Sequence, residues 1–72
     1  MQVEKLVEKM RRSNKGHTFE DLERVLLYLG YKQRKGKGSH YVFIKGQKVI
    51  VIAKHKPVSP AAIDDVLDAY DN

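Results

Sequence analysis

The sequence predicts an α+β domain of order α-α-β-β-β-α, in which helices cover one face of a three-stranded antiparallel sheet. Apolar residues recur at helical spacing before Gly30 and again after Pro57. Between Tyr31 and Lys56, short segments rich in aromatic and β-branched residues are separated by glycine-bearing turns. A sheet of this size needs one cover, and three helices are too few for two, which places the helices on the same face.

Two helices are predicted ahead of the strands. Apolar residues at i, i+3, i+4 and i+7 predict a first helix over residues 3 to about 12, which ends at Ser13 to Gly16. Thr18 is a good N-cap for a second helix, and Asp21 completes a variant capping box. This second helix is expected to stop at Gly30. Its buried face is formed by Phe19, Leu22, Val25, Leu26 and Leu29.

Three strands are predicted next, over residues 31 to 35, 40 to 45 and 49 to 53. Glycines at 36, 38 and 46 mark the turns, and the last two strands form a hairpin. In residues 40 to 45 and 49 to 53 both sides of the strand are largely apolar, so side-chain alternation does not decide which side meets the helices. The uncovered side is then expected to be an interface, because exposed apolar sheet surface usually marks one.

A closing helix follows two prolines. Ser59 is the predicted N-cap and Pro60 the first helical residue. Aspartates lie mostly on the side opposite the apolar stripe. That stripe consists of Ala62, Ile63, Val66, Leu67 and Tyr70. Residues 1 to 72 are therefore interpreted as a single domain.

Length and composition limit the classes of function. A chain of 72 residues buries only about 60% of the surface of its unfolded form, which disfavours a large internal cavity and places any chemistry on an open face. The chain has no cysteine, which excludes disulfides, thiolate nucleophiles and cysteine zinc sites. No apolar run approaches the roughly 20 residues that span a bilayer, and the amino end does not have the pattern of a signal peptide. We expect a soluble, cytoplasmic protein without a cofactor.

The charge is distributed unevenly. Residues 31 to 56 carry eight bases and no acid, whereas residues 57 to 72 carry four aspartates and no base. A basic surface of this kind favours a polyanion as partner. The aromatic residues Tyr31, Tyr41 and Phe43 lie between these bases, and rings combined with cations suit nucleic acid. The alternative is a lysine-rich surface that only keeps the domain soluble.

His40 is the candidate catalytic residue, because it follows Gly38 and Ser39 in the basic stretch and opens a strand. RNA carries its own nucleophile in the 2′-hydroxyl group, so cleavage requires a base, cations that stabilise the phosphorane, and a proton for the leaving oxygen. The alternative is that His40 only contacts phosphate or pairs across the strands. Further candidates for RNA binding are Lys35, Lys37, Gly38, Ser39, Lys45, Lys54, His55 and Lys56.

The other histidines and the aspartates are weaker candidates. His17 precedes the Thr18 cap and is expected to pack or form a hydrogen bond at a helix start. His55 could donate a proton or bind a phosphate, and the sequence does not distinguish these roles. Metal binding is not expected, because no histidines share ligand spacing and only Asp64 and Asp68 of the closing helix would share a face.

The segments Phe19 to Tyr31 and Lys37 to Tyr41, the apolar strand ending at Ala53, and His55 before a closing helix resemble the HicA (YcfA-like) family of mRNA interferase toxins. The likeness covers about residues 18 to 70, so residues 1 to 16 form an additional amino-terminal helix. The resemblance implies a fold similar to the double-stranded RNA-binding domain, His40 as the catalytic residue, and Gly38 and Ser39 shaping its approach. It also implies a HicB-like antitoxin that covers the active face.

Two other classes of function remain open. The first is a binding module that uses the same basic sheet to hold RNA without cutting it. The second is a protein-interaction domain built on the apolar strands. The second explains the eight bases in residues 31 to 56 poorly, because a protein interface does not require them.

Overall fold

The computed structural model describes residues 2–72; Met1, the first residue of the predicted domain, lies outside the described residues. The elements follow the order that the sequence predicts, and their bounds differ from the prediction by at most about two residues. They are α1 (Val3–Arg12), α2 (Phe19–Tyr28), β1 (Lys32–Lys35), β2 (His40–Lys45), β3 (Lys48–Ala53) and α3 (Pro60–Asp71).

The predicted helix caps are confirmed. The side-chain oxygen of Thr18 accepts a hydrogen bond from the backbone N–H of Asp21 at 3.2 Å. The hydroxyl oxygen of Ser59 accepts one from the N–H of Ala62 at 3.3 Å, and Pro60 opens the helix. Each cap satisfies one amide that has no partner within its helix, so these starts are determined by local chemistry.

The end of α2 depends on Gly30. Its backbone has φ +96°, a conformation that residues other than glycine rarely adopt. The N–H of Gly30 donates to the carbonyl oxygen of Leu27 at 3.1 Å, and that of Tyr31 donates to Leu26 at 3.0 Å. These two bonds form a Schellman motif, which turns the chain directly into β1.

The three strands form an antiparallel sheet of order β1-β2-β3, in which β2 is central. Phe43 lies between Gln33 on β1 and Ile50 on β3, and it is fully buried against the helices. Side chains alternate along a strand, so Tyr41 shares this face and Val42 lies on the other. The structure thereby shows which face of the sheet meets the helices, which side-chain alternation in the sequence did not decide.

The outer face of the sheet is open. Val49 and Val51 are 59% and 54% exposed, whereas Ile52, one position on, is 1% exposed. Val42 and Ile44 of β2 lie on the same outer face and are half-buried. All the helices therefore cover the opposite face, as predicted.

One hydrophobic core joins the helices and the sheet. The amino-terminal helix α1 contributes Leu6, Val7 and Met10, each no more than 3% exposed. These side chains belong to the same cluster as Phe43 of the sheet and Ile63 of α3. Helix α1 is thus an integral part of the packed domain.

The helices are short. The longest, α3, has 12 residues. Within residues 2–72, no helix is both long and apolar enough to cross a membrane.

Candidate nucleic-acid interface

The sheet register brings most of the predicted site residues to one end of the sheet, here called the His40 end. His40 pairs with Ala53 across β2 and β3, and Lys35 lies at the close of β1. The turn of residues 36 to 39 joins these two strands, and residues 54 to 56 leave β3 at the same place. The His40 end therefore comprises Lys35, Lys37, Gly38, Ser39, His40, Lys54, His55 and Lys56.

The imidazole of His40 is exposed and held by backbone. Its Nδ1 atom lies 3.2 Å from the carbonyl oxygen of Lys37, which also accepts the N–H of His40 at 3.0 Å. A carbonyl oxygen can only accept, so Nδ1 must carry a proton when it makes this bond. In the neutral ring the lone pair is then on Nε2, which is the form a general base requires.

The turn before His40 depends on Gly38. Its backbone has φ +59°, and a Cβ placed there would meet no atom within 4 Å. The constraint at this position is therefore conformational: the left-handed backbone favours glycine although space is available. The open surface above Gly38 leaves room for a phosphate group to approach the backbone.

A hydrogen bond ties this turn to the end of β3. The N–H of Lys54 donates to the carbonyl oxygen of Ser39 at 2.8 Å, and the N–H of His55 donates to Ala53 at 3.0 Å. The backbone of Lys54 is thereby held against the His40 turn, and His55 and Lys56 follow it directly in the chain. Both residues are exposed.

The side chain of Lys54 turns toward the helices. Its ammonium nitrogen lies 5.4 Å from the ring centroid of Phe19 and 5.9 Å from that of Tyr41. It also lies 3.7 Å from a carboxylate oxygen of Glu20, and both side chains are about half exposed. Lys54 therefore joins α2 to the sheet, and part of its charge is balanced within the protein.

Lys45 does not lie with the other predicted residues. It is the last residue of β2, five residues from His40, which places the two about 17 Å apart along the strand. Its ammonium group lies 5.9 Å from the ring centroid of Tyr31, and it pairs with Lys48 at the tip of the hairpin. Lys45 thus belongs to the opposite end of the sheet.

Of the three aromatic residues of the basic stretch, two are buried and one is half-buried, so they offer little ring surface to a nucleic acid. Tyr31 and Phe43 are at most 5% exposed. Tyr41 is half-buried, with its ring centroid 4.9 Å from that of Phe19. These rings were needed to build the core of a small domain. A nucleic acid at the His40 end would be held through its phosphates.

Sequence reasoning did not include Lys32 and Arg34 among the site residues. Both are exposed on β1 and lie on the outer face with His40, Arg34 beside Val42 in the register. Side-chain alternation could have identified them. If Tyr31 faces the core, which it does in the structure, residues 32 and 34 must face away from it.

His17 has a structural role, as expected. Its Nε2 atom lies 2.6 Å from the carbonyl oxygen of Ser13 and must donate to it. Its own carbonyl oxygen accepts the N–H of Val58 at 3.1 Å, and Val58 is buried in the core. His17 therefore joins the loop before α2 to the loop before α3.

The aspartates of α3 point to different neighbours. Asp71 forms an ion pair with Arg11 of α1, and Asp64 accepts a hydrogen bond from the side chain of Asn14 at 3.4 Å. Across residues 2–72, no three histidine, cysteine or acidic side chains are grouped so that they could hold a metal ion.

Comparison with known proteins gives no match: no family model matches the chain, and neither a curated protein nor a solved structure matches it significantly. The geometry and chemistry of the His40 end therefore carry the functional proposal.

Proposed function

We propose that this protein is a metal-independent RNA endonuclease whose general base is His40. The observation that carries the proposal is the backbone bond from Nδ1 of His40 to the carbonyl oxygen of Lys37, which leaves Nε2 of an exposed ring free to act as a base. Three exposed lysines lie at the same end of the sheet: Lys35, Lys37 and Lys56. Lys35 pairs with Tyr41, so its side chain starts from the face opposite to that of His40. A base beside several cations is what RNA cleavage by its own 2′-hydroxyl group requires.

The reaction follows from this arrangement. Nε2 of His40 removes the proton of a 2′-hydroxyl group, and the 2′-oxygen attacks the adjacent phosphorus. The bond from phosphorus to the 5′-oxygen then breaks, and that oxygen takes a proton. The products are a 2′,3′-cyclic phosphate and a free 5′-hydroxyl group. Exposed lysines stabilise the extra negative charge of the phosphorane.

The proton donor for the leaving oxygen is a separate matter. His55 is exposed and follows Lys54, whose N–H is bonded to Ser39 in the His40 turn, which supports a contact between His55 and a bound phosphate. A protonated imidazole there would supply the proton directly. As a neutral ring it would act only as a phosphate ligand.

The biological role that we propose is that of an mRNA interferase toxin in a type II toxin–antitoxin module, active in the cytoplasm. The resemblance to the HicA family at Gly38, Ser39 and His40 supports it, because this tripeptide forms the turn and the first residue of β2. The same resemblance supports a fold like the double-stranded RNA-binding domain, and a HicB-like antitoxin that covers the His40 end.

The alternative is an RNA-binding module that does not cut. The exposed amines of Lys35 and Lys37 would attract phosphates whether or not His40 acts as a base. Binding alone therefore does not distinguish the two functions.

The distinguishing experiment compares two substrates. One is a labelled RNA, and the other is the same RNA with a single 2′-deoxynucleotide at the position that is cut. The nuclease should cut the first, leave a 2′,3′-cyclic phosphate and spare the modified position of the second. Cleavage of both substrates at that position would contradict the use of the 2′-hydroxyl group, and binding without any cleavage would establish the alternative.

A further inference from the structure

The free edge of β3 presents unpaired backbone groups. The N–H of Lys54 donates to Ser39, which shows that residue 54 directs its amide toward β2. Backbone direction alternates along a strand, so Ile52 and Ile50 also face β2, whereas Val51 and Val49 face outward. Within residues 2–72, no backbone hydrogen bond outside the sheet engages either valine.

The two edges of the sheet differ in how they resist pairing. β1 is the other edge and has the sequence Lys-Gln-Arg-Lys, and charged side chains protect an edge strand from other chains. β3 has five consecutive uncharged residues, Val49 to Ala53. Proteins rarely leave such an edge open without a use, since it is a template for another strand.

A groove runs beside this open edge. One wall is the free edge of β3 at Val49 and Val51. The other wall is α3, with Asp65 and Asp68. These two aspartates are exposed and make no ion pair or side-chain hydrogen bond in the described chain. The one basic residue in the lining is Lys48, at the hairpin end. The groove is therefore apolar on one wall and negative on the other.

We propose that this groove binds an extended basic segment of a partner protein, which adds a fourth strand to the sheet beside β3. Its backbone would pair with Val49 and Val51. Its side chains would alternate, with apolar ones beside the exposed valines and lysine or arginine facing Asp65 and Asp68. The pairing needs about five residues, which is the length of the uncharged edge.

Charge decides between this occupant and two others. A second copy of the chain paired through β3 would bring its own Asp65 and Asp68 toward those of the first, and like charges across an interface are unfavourable. RNA would meet the same carboxylates. A basic segment is the occupant whose charge complements the groove, and its docking does not depend on nuclease activity.

Amide exchange with a defined probe tests the proposal. The probe is an acetylated seven-residue peptide that alternates lysine and valine, added to the full chain and followed by NMR. Its binding should slow exchange at the amides of Val49 and Val51, while those of Ile50 and Ile52, already directed at β2, change little. Uniform slowing over all four amides, or none, would overturn the proposal.

Two peptide controls separate the strand pattern from charge alone. One contains the same residues with the lysines in a block, and the other has glutamate in place of lysine. Both should bind at least about fivefold more weakly, because the block pattern cannot place its cations on one side and glutamate meets the carboxylates. Equal binding by either peptide would overturn the proposal.

Protein variants test the acidic wall. The double change Asp65→Asn and Asp68→Asn should weaken the alternating peptide about fivefold or more, because two exposed ion pairs are lost. The control is Asp64→Asn on the same helix, whose carboxylate is directed at Asn14 and should matter less than about twofold. An equal loss in both variants would contradict a specific site. Protection of Val49 and Val51 in a self-associated free protein would identify a second copy as the occupant and overturn our choice.

Discussion

Nδ1 of His40 lies 3.2 Å from the carbonyl oxygen of Lys37, three residues earlier in the same turn. The orientation of the candidate base is thus set by backbone and needs no second side chain. His17 differs, because its ring forms a structural hydrogen bond through Nε2 to the carbonyl oxygen of Ser13. Nε2 is therefore left without a protein partner at His40 and is bonded to the backbone at His17.

The first prediction concerns salt. RNA binding at the His40 end should weaken steeply with added salt, since lysines release counterions from the phosphates. Replacing Lys35 and Lys37 by glutamate should reduce the slope of log affinity against log salt by at least about 0.7, the value for one lost contact to a single strand. The matched control reverses Lys45 and Lys48, which lie at the hairpin end. A larger effect from the control would show that RNA binds at the hairpin end, which would contradict our account.

The second prediction concerns metals. Cleavage should persist in excess EDTA, because the proposed chemistry uses a histidine and amines and the donor groups of residues 2–72 do not converge on one point. The measurement is the initial rate of RNA cleavage before and after chelation. Loss of activity that Mg²⁺ restores would direct attention back to the aspartates of α3.

The third prediction concerns the ion pair between α1 and α3. The hydrogen bond from the Arg11 guanidinium holds the pKa of Asp71 below its usual range. A carboxylate with a lowered pKa stabilises the fold above the pKa of the unfolded chain, about 3.9, and this contribution disappears as the pH falls through the native value. Arg11→Gln should therefore lower Tm at pH 7 and lose its effect at strongly acidic pH.

The control for this ion pair is Arg12→Gln, which removes the same charge from the same helix. Arg12 is exposed and makes no ion pair within residues 2–72, so its loss should leave Tm almost unchanged at both pH values. A Tm difference for Arg11→Gln that persists below the native pKa of Asp71 would contradict the assigned cause.

The fourth prediction concerns the proposed antitoxin. A partner that covers the His40 end should block RNA binding and cleavage together by steric exclusion, without a change in fold. In such a complex the amides of residues 35 to 45 should be protected from exchange. A complex that still binds RNA as tightly as the free protein would show that the partner docks elsewhere, for example on α1.

Local chemistry explains which parts of the fold were predictable. Thr18 and Ser59 act within their own helix turns, so their roles follow from a few neighbouring residues. Gly30 ends α2 for a similarly local reason. The order of helices and strands then follows from the change of apolar period at Tyr31.

The site was less predictable because tertiary packing determines where its charged side chains lie and which of its aromatic rings are exposed. Lys45 and His40 are close in sequence, but an extended strand separates them to opposite ends of the sheet. Tyr41 packs on Phe19, more than twenty residues away, which leaves its ring only partly exposed. The pair between Arg11 and Asp71 joins residues near the two chain ends. None of these relationships has a local signal.

The most direct test of the central claim measures cleavage and binding on the same variant. His40→Ala should reduce the single-turnover rate of RNA cleavage by at least about 100-fold, the lower range for loss of a general base, while circular dichroism and RNA affinity stay close to wild type. Expression of this variant should also no longer arrest growth. A rate within a few-fold of wild type would contradict the assignment of His40 as the catalytic base.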